Sequence, residues 1–196
     1  MFKGFKLLTV LCMGAVALPV AAQVSSPGFS FLQAVRERDG TKANELVAVP
    51  GSTVVNYCDD RECPLNVVTK GRDVTWMGFL IGKGARVDGQ ARGGEPALVD
   101  AARIGFVEGV NLLLRTGATV DLRNRAGETA LNVAVQQRQL PVARRLIEAG
   151  ANPDRTDNVG RSPRDYAKLD SRSAELLRIM ETAKAKKPAE VAGPKL

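Results

Sequence analysis

The sequence repeats itself every 33 residues. The dipeptide Gly-Ala stands at 84–85 and recurs at 117–118 and 150–151. Apolar residues keep the same phase through the units, as in the series Leu80, Leu113, Leu146 and Ile179. A fixed period of this length is typical of repeat proteins, because one such unit cannot bury its own apolar face and needs its neighbours to do so. The chain is therefore predicted to form a linear stack of equivalent units.

Each unit contains two stretches with the spacing of an amphipathic helix. In the third unit the segment TALNVAVQQ places Leu131 and Val135 on one face, and the segment LPVARRLIEAG does the same for Leu140 and Leu146. Gly150 then stands where a helix-ending glycine is favoured, because glycine adopts the left-handed conformation at little cost. A unit is therefore predicted to be a turn followed by two short helices.

These units resemble ankyrin repeats. The segments CPLNVV, PALVDA, TALNVA and SPRDYA are similar to the T-P-L-H-x-A signature of that family, and ARRLIEAGANPD is similar to its second helix and following finger. The resemblance covers residues 51–182, with a weaker unit before them. It implies an all-α solenoid of helix-turn-helix units joined by short fingers, with about four repeats of 33 residues and an N-terminal capping unit.

The period and the resemblance together predict the domain boundaries. The ankyrin repeat domain is expected at residues 29–182, and its capping unit at 29–50. The repeats are expected at 51–83, 84–116, 117–149 and 150–182. Residues 183–196 contain no aromatic residue and almost no large apolar residue. They are therefore predicted to form a disordered tail of lysine, alanine and proline.

The units depart from the family signature in two ways. The signature histidine is replaced by Asn66, Val99, Asn132 and Asp165. The capping threonine is kept at Thr129 but is replaced by Cys63 and Pro96 in the two units before it. Because a threonine or serine hydroxyl at this position satisfies a free backbone N–H, helix capping is expected to be weakest at Cys63 and Pro96.

Residues 1–22 have the pattern of a secretory signal peptide. Lys3 and Lys6 precede an apolar run from Leu7 to Val20, and small residues follow as far as Ala22. The run is shorter than the roughly 20 apolar residues that a membrane-spanning helix needs. We expect cleavage near Ala22 and a periplasmic or secreted mature chain without a transmembrane segment. The alternative is that the segment is retained as an N-terminal anchor.

Two cysteines, Cys58 and Cys63, remain after the predicted cleavage, and disulfides persist in oxidising compartments. The chain has no histidine, which excludes Ser-His and Cys-His catalysis and every metal site with a histidine ligand. Two thiolates alone do not complete a tetrahedral zinc site. We therefore expect a disulfide that closes the first finger, where Arg61 stands in place of the turn glycine found at Gly94. Free or intermolecular thiols are the alternative.

The formal charge of +7 is concentrated near the two ends of the chain. Lys3 and Lys6 lie in the predicted signal peptide. The predicted tail carries Lys184, Lys186, Lys187 and Lys195. A basic face with interleaved aromatic residues, which single-stranded nucleic acids require for stacking, is not evident in the sequence. Nucleic acid is therefore not expected as a partner.

Ankyrin repeats as a family bind other proteins through the finger tips and the exposed face of the first helices. The resemblance therefore implies a protein partner, with no catalysis, no cofactor and no metal. Carried over position by position, the candidate partner-binding residues are Arg92, Glu95, Arg103, Arg125, Glu128, Gln136, Gln137, Asn158 and Arg161. The arginines among them predict a partner with an acidic patch. The alternative is that they are ordinary solvated charges.

Two functions from different classes are predicted. The first is an exported protein-protein interaction module without catalysis of its own, which would support or stabilise a partner enzyme. The partner enzyme rests on analogy with the fold alone. The second is attachment to an anionic lipid or polymer of the cell envelope through the basic residues of the tail, 183–196. The sequence makes no prediction of oligomeric state.

Overall fold

The computed structural model describes residues 26–92, 94–169 and 173–182. These residues form ten α-helices in five consecutive pairs and one short 3-10 helix at Val54–Asn56, and none of them lies in a strand. The first helices of the pairs are α1 (Pro27–Glu37), α3 (Pro64–Lys70), α5 (Ala97–Arg103), α7 (Ala130–Gln136) and α9 (Pro163–Leu169). The second helices are α2 (Gly40–Ala48), α4 (Val74–Gly82), α6 (Val107–Arg115), α8 (Leu140–Glu148) and α10 (Ala174–Thr182). The predicted signal peptide at 1–22 and the predicted tail at 183–196 lie outside the described residues.

The helix pairs stack in sequence order. Each first helix packs against the first helix of the next unit, from α1 through α3, α5 and α7 to α9. The second helices form a parallel layer in which α4, α6, α8 and α10 pack in succession. The predicted all-α solenoid of helix-turn-helix units is confirmed.

The phased apolar residues form the core between the two layers. Leu80, Leu113 and Leu146 are fully buried on successive second helices, and Ala101 and Ala134 are fully buried on successive first helices. A fully buried leucine stabilises the fold by roughly 1.5–3 kcal/mol relative to an exposed one, so this repeated position supplies a large share of the stability. The alanines leave room for neighbouring first helices to approach each other. The core is therefore continuous along the stack rather than centred in one unit.

Helix capping follows the departures from the signature. Thr129 and Asn132 form a capping box at the start of α7, and the buried hydroxyl of Thr129 accepts from the backbone N–H of Asn132 at 3.3 Å. Neither Cys63 before α3 nor Pro96 before α5 makes a side-chain cap. The expectation that capping is weakest at these two positions is confirmed. Gly150 lies just after α8 with a φ of 92°, which only glycine adopts readily.

Candidate functional site

The fingers that join successive units are bonded to one another by a repeated contact. The carboxylate of Asp88 accepts from the backbone N–H of Thr119 in the next finger at 3.0 Å, and Asp121 accepts from that of Asn152 at 3.1 Å. Farther along the fingers, the amide of Asn158 donates to the backbone carbonyl of Arg125 at 2.9 Å. Because the same bond recurs from unit to unit, the fingers form one continuous edge rather than independent loops.

A second repeated contact joins each finger to the first helix of its own unit. The acceptor is a glutamate and the donor lies eight residues later. Glu62 accepts from Lys70 at 3.3 Å, Glu95 from Nε of Arg103 at 3.1 Å, and Glu128 from the amide of Gln136 at 2.9 Å. The glutamates are 33 residues apart, so the three pairs form a polar ladder along the stack. In the last unit the equivalent positions are Arg161 and Leu169, which cannot form this pair.

One side chain links two steps of this ladder. The amide nitrogen of Asn124 donates to Glu95 at 3.0 Å and to Glu128 at 2.9 Å. It therefore bridges two neighbouring units within the surface formed by the fingers and the first helices. Most of the charge on this part of the surface is already neutralised by partners within the chain.

The first finger is closed by a disulfide. Cys58 and Cys63 are bonded with an S–S distance of 1.97 Å and a Cα–Cα distance of 4.1 Å. Within this loop Asp59 accepts from Arg36 of α1 at 2.7 Å. Burial disfavours the charged form of Asp59, but the hydrogen bond from Arg36 outweighs it and holds the pKa of Asp59 below its ordinary value. The finger is thereby attached to the capping unit through an ion pair.

Asp100 is the one buried carboxylate of this surface with a markedly shifted pKa among the described residues. Burial raises the pKa of Asp100 from 3.8 to about 6, against the opposing effects of the Asn66 hydrogen bond and the Lys70 charge. The Asn66 amide donates to Asp100 at 2.7 Å, whereas Lys70 Nζ lies 4.0 Å from the carboxylate. The carboxylate therefore lies between two units with only limited compensation for its charge.

The predicted partner-binding residues fall into two groups. One group is held by bonds within the chain and contains Glu95, Arg103, Glu128, Gln136 and Asn158. The other group is exposed, and the described residues offer its side chains no hydrogen bond or ion pair: Arg92, Arg125, Gln137 and Arg161. Arg161 lies over the ring of Tyr166, with its guanidinium carbon 5.9 Å from the ring centre.

Sequence reasoning did not identify Asn124, Glu62 or Asp100 as parts of this surface. The period of Glu62, Glu95 and Glu128 was visible in the sequence and could have identified the first of the three pairs. Asn124 and Asp100 carry no such signal, because neither has an identical residue one period away. Only their contacts across the unit boundary reveal them.

Two further observations concern chemistry and membranes. Across residues 26–92, 94–169 and 173–182, acidic and cysteine side chains do not come together in any group of three or more that could hold a metal ion. Over the same residues, every helix is too short or too polar to cross a membrane.

The geometry defines a helical repeat stack with an exposed edge of fingers, the architecture of a protein-binding scaffold. A model of the ankyrin repeat family, in three copies, matches residues 65–157, which span α3 to α8. The chain belongs to the ankyrin repeat family, and ankyrin repeats indicate a protein-protein interaction module. No curated protein matches the chain.

Proposed function

We propose that this ankyrin repeat protein is exported to the periplasm or secreted, and that it binds a partner protein carrying an acidic patch. The binding surface is the edge of fingers together with the exposed face of the first helices. The chain performs no catalysis of its own in this proposal. Its role is to support or stabilise the partner, which by analogy with the fold is an enzyme.

One observation carries the proposal of an acidic partner. Arg92 and Arg125 lie at the same position of successive fingers, both are exposed, and no described carboxylate pairs with either guanidinium. By contrast, Arg103 on α5 is held by Glu95 and contributes little free charge. The unneutralised charge of this edge is therefore positive, and a complementary partner presents carboxylates. Glu95 and Glu128 are engaged within the chain and would act by positioning their neighbours.

The disulfide supports the proposal of export. Cys58 and Cys63 close the only finger that lacks a turn glycine at the position of Gly94, and a disulfide of this kind persists where thiols are oxidised. The pattern of residues 1–22 points in the same direction. Both features are expected of a chain that folds outside the cytoplasm.

Affinity purification of the full chain from its native compartment tests the proposed partner. Replacing Arg92 and Arg125 by glutamate should abolish recovery of the co-purifying protein. The matched control replaces Arg115 and Arg178, exposed arginines on the second helices α6 and α10, and should leave recovery unchanged. Equal loss in both variants, or loss only on removal of residues 183–196, would contradict the proposed surface, and the latter would favour attachment through the tail.

A further inference from the structure

Helix α4 differs from the other second helices in having no charged residue. Its sequence is VTWMGFLIG, whereas α6, α8 and α10 each place charged side chains on their outer faces. These are Glu108 and Arg115 on α6, Arg144, Arg145 and Glu148 on α8, and Glu175, Arg178 and Glu181 on α10. A helix that is apolar on every side is normally covered on every side, so the outer face of α4 is unusual for an exposed surface.

The outer face of α4 combines projecting apolar groups with a flat stripe. Val74 is 41 % exposed, and the half-buried rings of Trp76 and Phe79 meet edge to face with their centres 5.3 Å apart. Gly78 and Gly82 lie one helical turn apart, and a Cβ atom added at either would meet no other atom within 4 Å. The stripe is thus open, and another helix could approach it closely.

A recess lies beside this face, between α4 and α2. It has a volume of about 250 Å³, and Trp76, Phe79, Gly40 and Asn44 are among its lining residues. The recess exists because α2 does not pack along α4 as α6 does on the other side. Projecting apolar side chains, a glycine stripe and a recess therefore lie on the same patch. A patch with both projections and a recess can fit a second copy of itself, as a two-fold interface requires.

The charges at the two ends of α4 favour an antiparallel arrangement of two copies. No like charges would meet along the helices, because Val74–Gly82 contains none. Asp39 and Asp73 lie in the turns at the start of α4, and the exposed Lys83 follows its end, 5.7 Å from the centre of the Phe79 ring. An antiparallel pair brings Lys83 of each copy towards the end of the other copy that carries these carboxylates. The outer faces of α6, α8 and α10 would instead bring like charges together.

We infer that two copies of this chain associate through their α4 helices, antiparallel about a two-fold axis, and bury Trp76 and Phe79 in the interface. Large aromatic side chains of this kind dominate the binding energy of protein interfaces. The contact lies on the layer of second helices and leaves the edge of fingers free. The assembly therefore presents two partner-binding edges at once.

Sedimentation velocity and tryptophan fluorescence of the full chain test this inference together. Trp76 is the single tryptophan of the chain, so its emission reports on this face alone. Over an about hundredfold range of protein concentration, the weight-average mass should rise from that of a monomer towards that of a dimer. The emission of Trp76 should shift to shorter wavelength over the same range, because association removes water from the ring.

The variants copy residues that the chain itself carries at equivalent positions. Phe79→Arg introduces the residue found at Arg145 and Arg178, and Gly82→Glu introduces the residue found at Glu148 and Glu181. Each should keep the native circular dichroism spectrum and remain monomeric throughout the range, and Gly82→Glu should unfold at no lower temperature because it replaces a helical glycine. The matched control Glu181→Arg, at the position of Gly82 on α10, should still dimerise.

A constant monomer mass for the unaltered chain would overturn the inference. So would a dimer that persists in Phe79→Arg and Gly82→Glu, since its contact must lie elsewhere. Vesicles of phosphatidylglycerol and phosphatidylcholine provide the remaining arm. If the chain stays monomeric and the Trp76 emission shifts only when these vesicles are added, the face binds lipid and the dimer is excluded.

Discussion

The amide of Asn66 on α3 donates a 2.7 Å hydrogen bond to the carboxylate of Asp100 on α5, across the boundary between two repeats. The same amide donates to the backbone carbonyl of Glu95 at 2.8 Å. Both side chains are buried, and the carbonyl oxygen of Asn66 meets no donor among the described residues. The boundary thus contains a carboxylate and an amide whose polar groups are only partly satisfied, which is costly in a buried place.

This contact predicts how stability depends on pH. The pKa of Asp100 in the folded chain, about 6, exceeds its ordinary value of 3.8. The folded state therefore binds the proton more tightly, and the resulting stabilisation is fully present below about pH 4 and is lost as the pH rises through 6. Between pH 5 and pH 7.5 we expect this group to reduce the free energy of unfolding by about 1–2 kcal/mol.

The variant Asp100→Asn should lack this loss. Asparagine can still accept the hydrogen bond from Asn66, but it does not ionise. In urea titrations the difference in stability between the variant and the unaltered chain should therefore move in favour of the variant as the pH is raised from about 5 to 7.5. An offset that is the same at both pH values would show that Asp100 does not titrate in this range.

The disulfide of the first finger is predicted to stabilise the chain. Closing a loop of this size should raise the free energy of unfolding by about 2 kcal/mol, because it restricts the unfolded chain. The double variant Cys58→Ser, Cys63→Ser should be less stable by this amount in denaturant titrations, and reductant should have no further effect on it. If intact mass spectrometry of the native protein finds two free thiols, the prediction is wrong.

The capping box of α7 is predicted to matter more than its size suggests. Thr129→Ala removes the hydroxyl that accepts from the N–H of Asn132 and leaves a buried amide side chain with fewer partners. We expect a loss of about 1–2 kcal/mol in the free energy of unfolding. Ser26→Ala, at the exposed start of α1, is the matched control and should cost less. Equal losses would indicate that burial of the cap is irrelevant.

Two arginines near each other on the binding surface should differ in their effect on stability. Arg103→Ala leaves Glu95 without its ion pair and should reduce the free energy of unfolding by about 1 kcal/mol or less, since the pair is partly exposed. Arg92→Ala should change stability by no more than about 0.5 kcal/mol, because its guanidinium has no partner among the described residues. Thermal unfolding of both variants checks the contrast, and the reverse order would contradict it.

The periodic pattern was sufficient to predict the helix pairs and their core. Leu80 and Ala101 recur at fixed phase because every unit makes the same contacts with its neighbours, so the sequence carries that information many times over. The disulfide was predicted for a similar reason, since Cys58 and Cys63 are close in sequence and no other mature cysteine competes. Helix capping at Thr129 followed from the residue type.

Features that occur once could not be predicted in this way. The sequence places Trp76 and Phe79 on or beside a second helix, where burial in the core is the ordinary expectation. It does not reveal that α2 diverges from α4 and leaves both rings half-exposed. The elevated pKa of Asp100 likewise depends on which side chains of the preceding unit surround it. Such properties arise from packing between units and have no local signal in the sequence.

Site-specific photo-crosslinking tests the central claim, that fingers and first helices form the binding surface. A photoreactive phenylalanine analogue is placed at Arg125 on a finger or at Gln137 at the end of α7, and at Glu181 on α10 as the control; all three positions are exposed. After irradiation in the native compartment, Arg125 and Gln137 should each yield a crosslink to the same acidic protein, and Glu181 should yield none to it. Crosslinks to that protein from Glu181 alone would contradict the account.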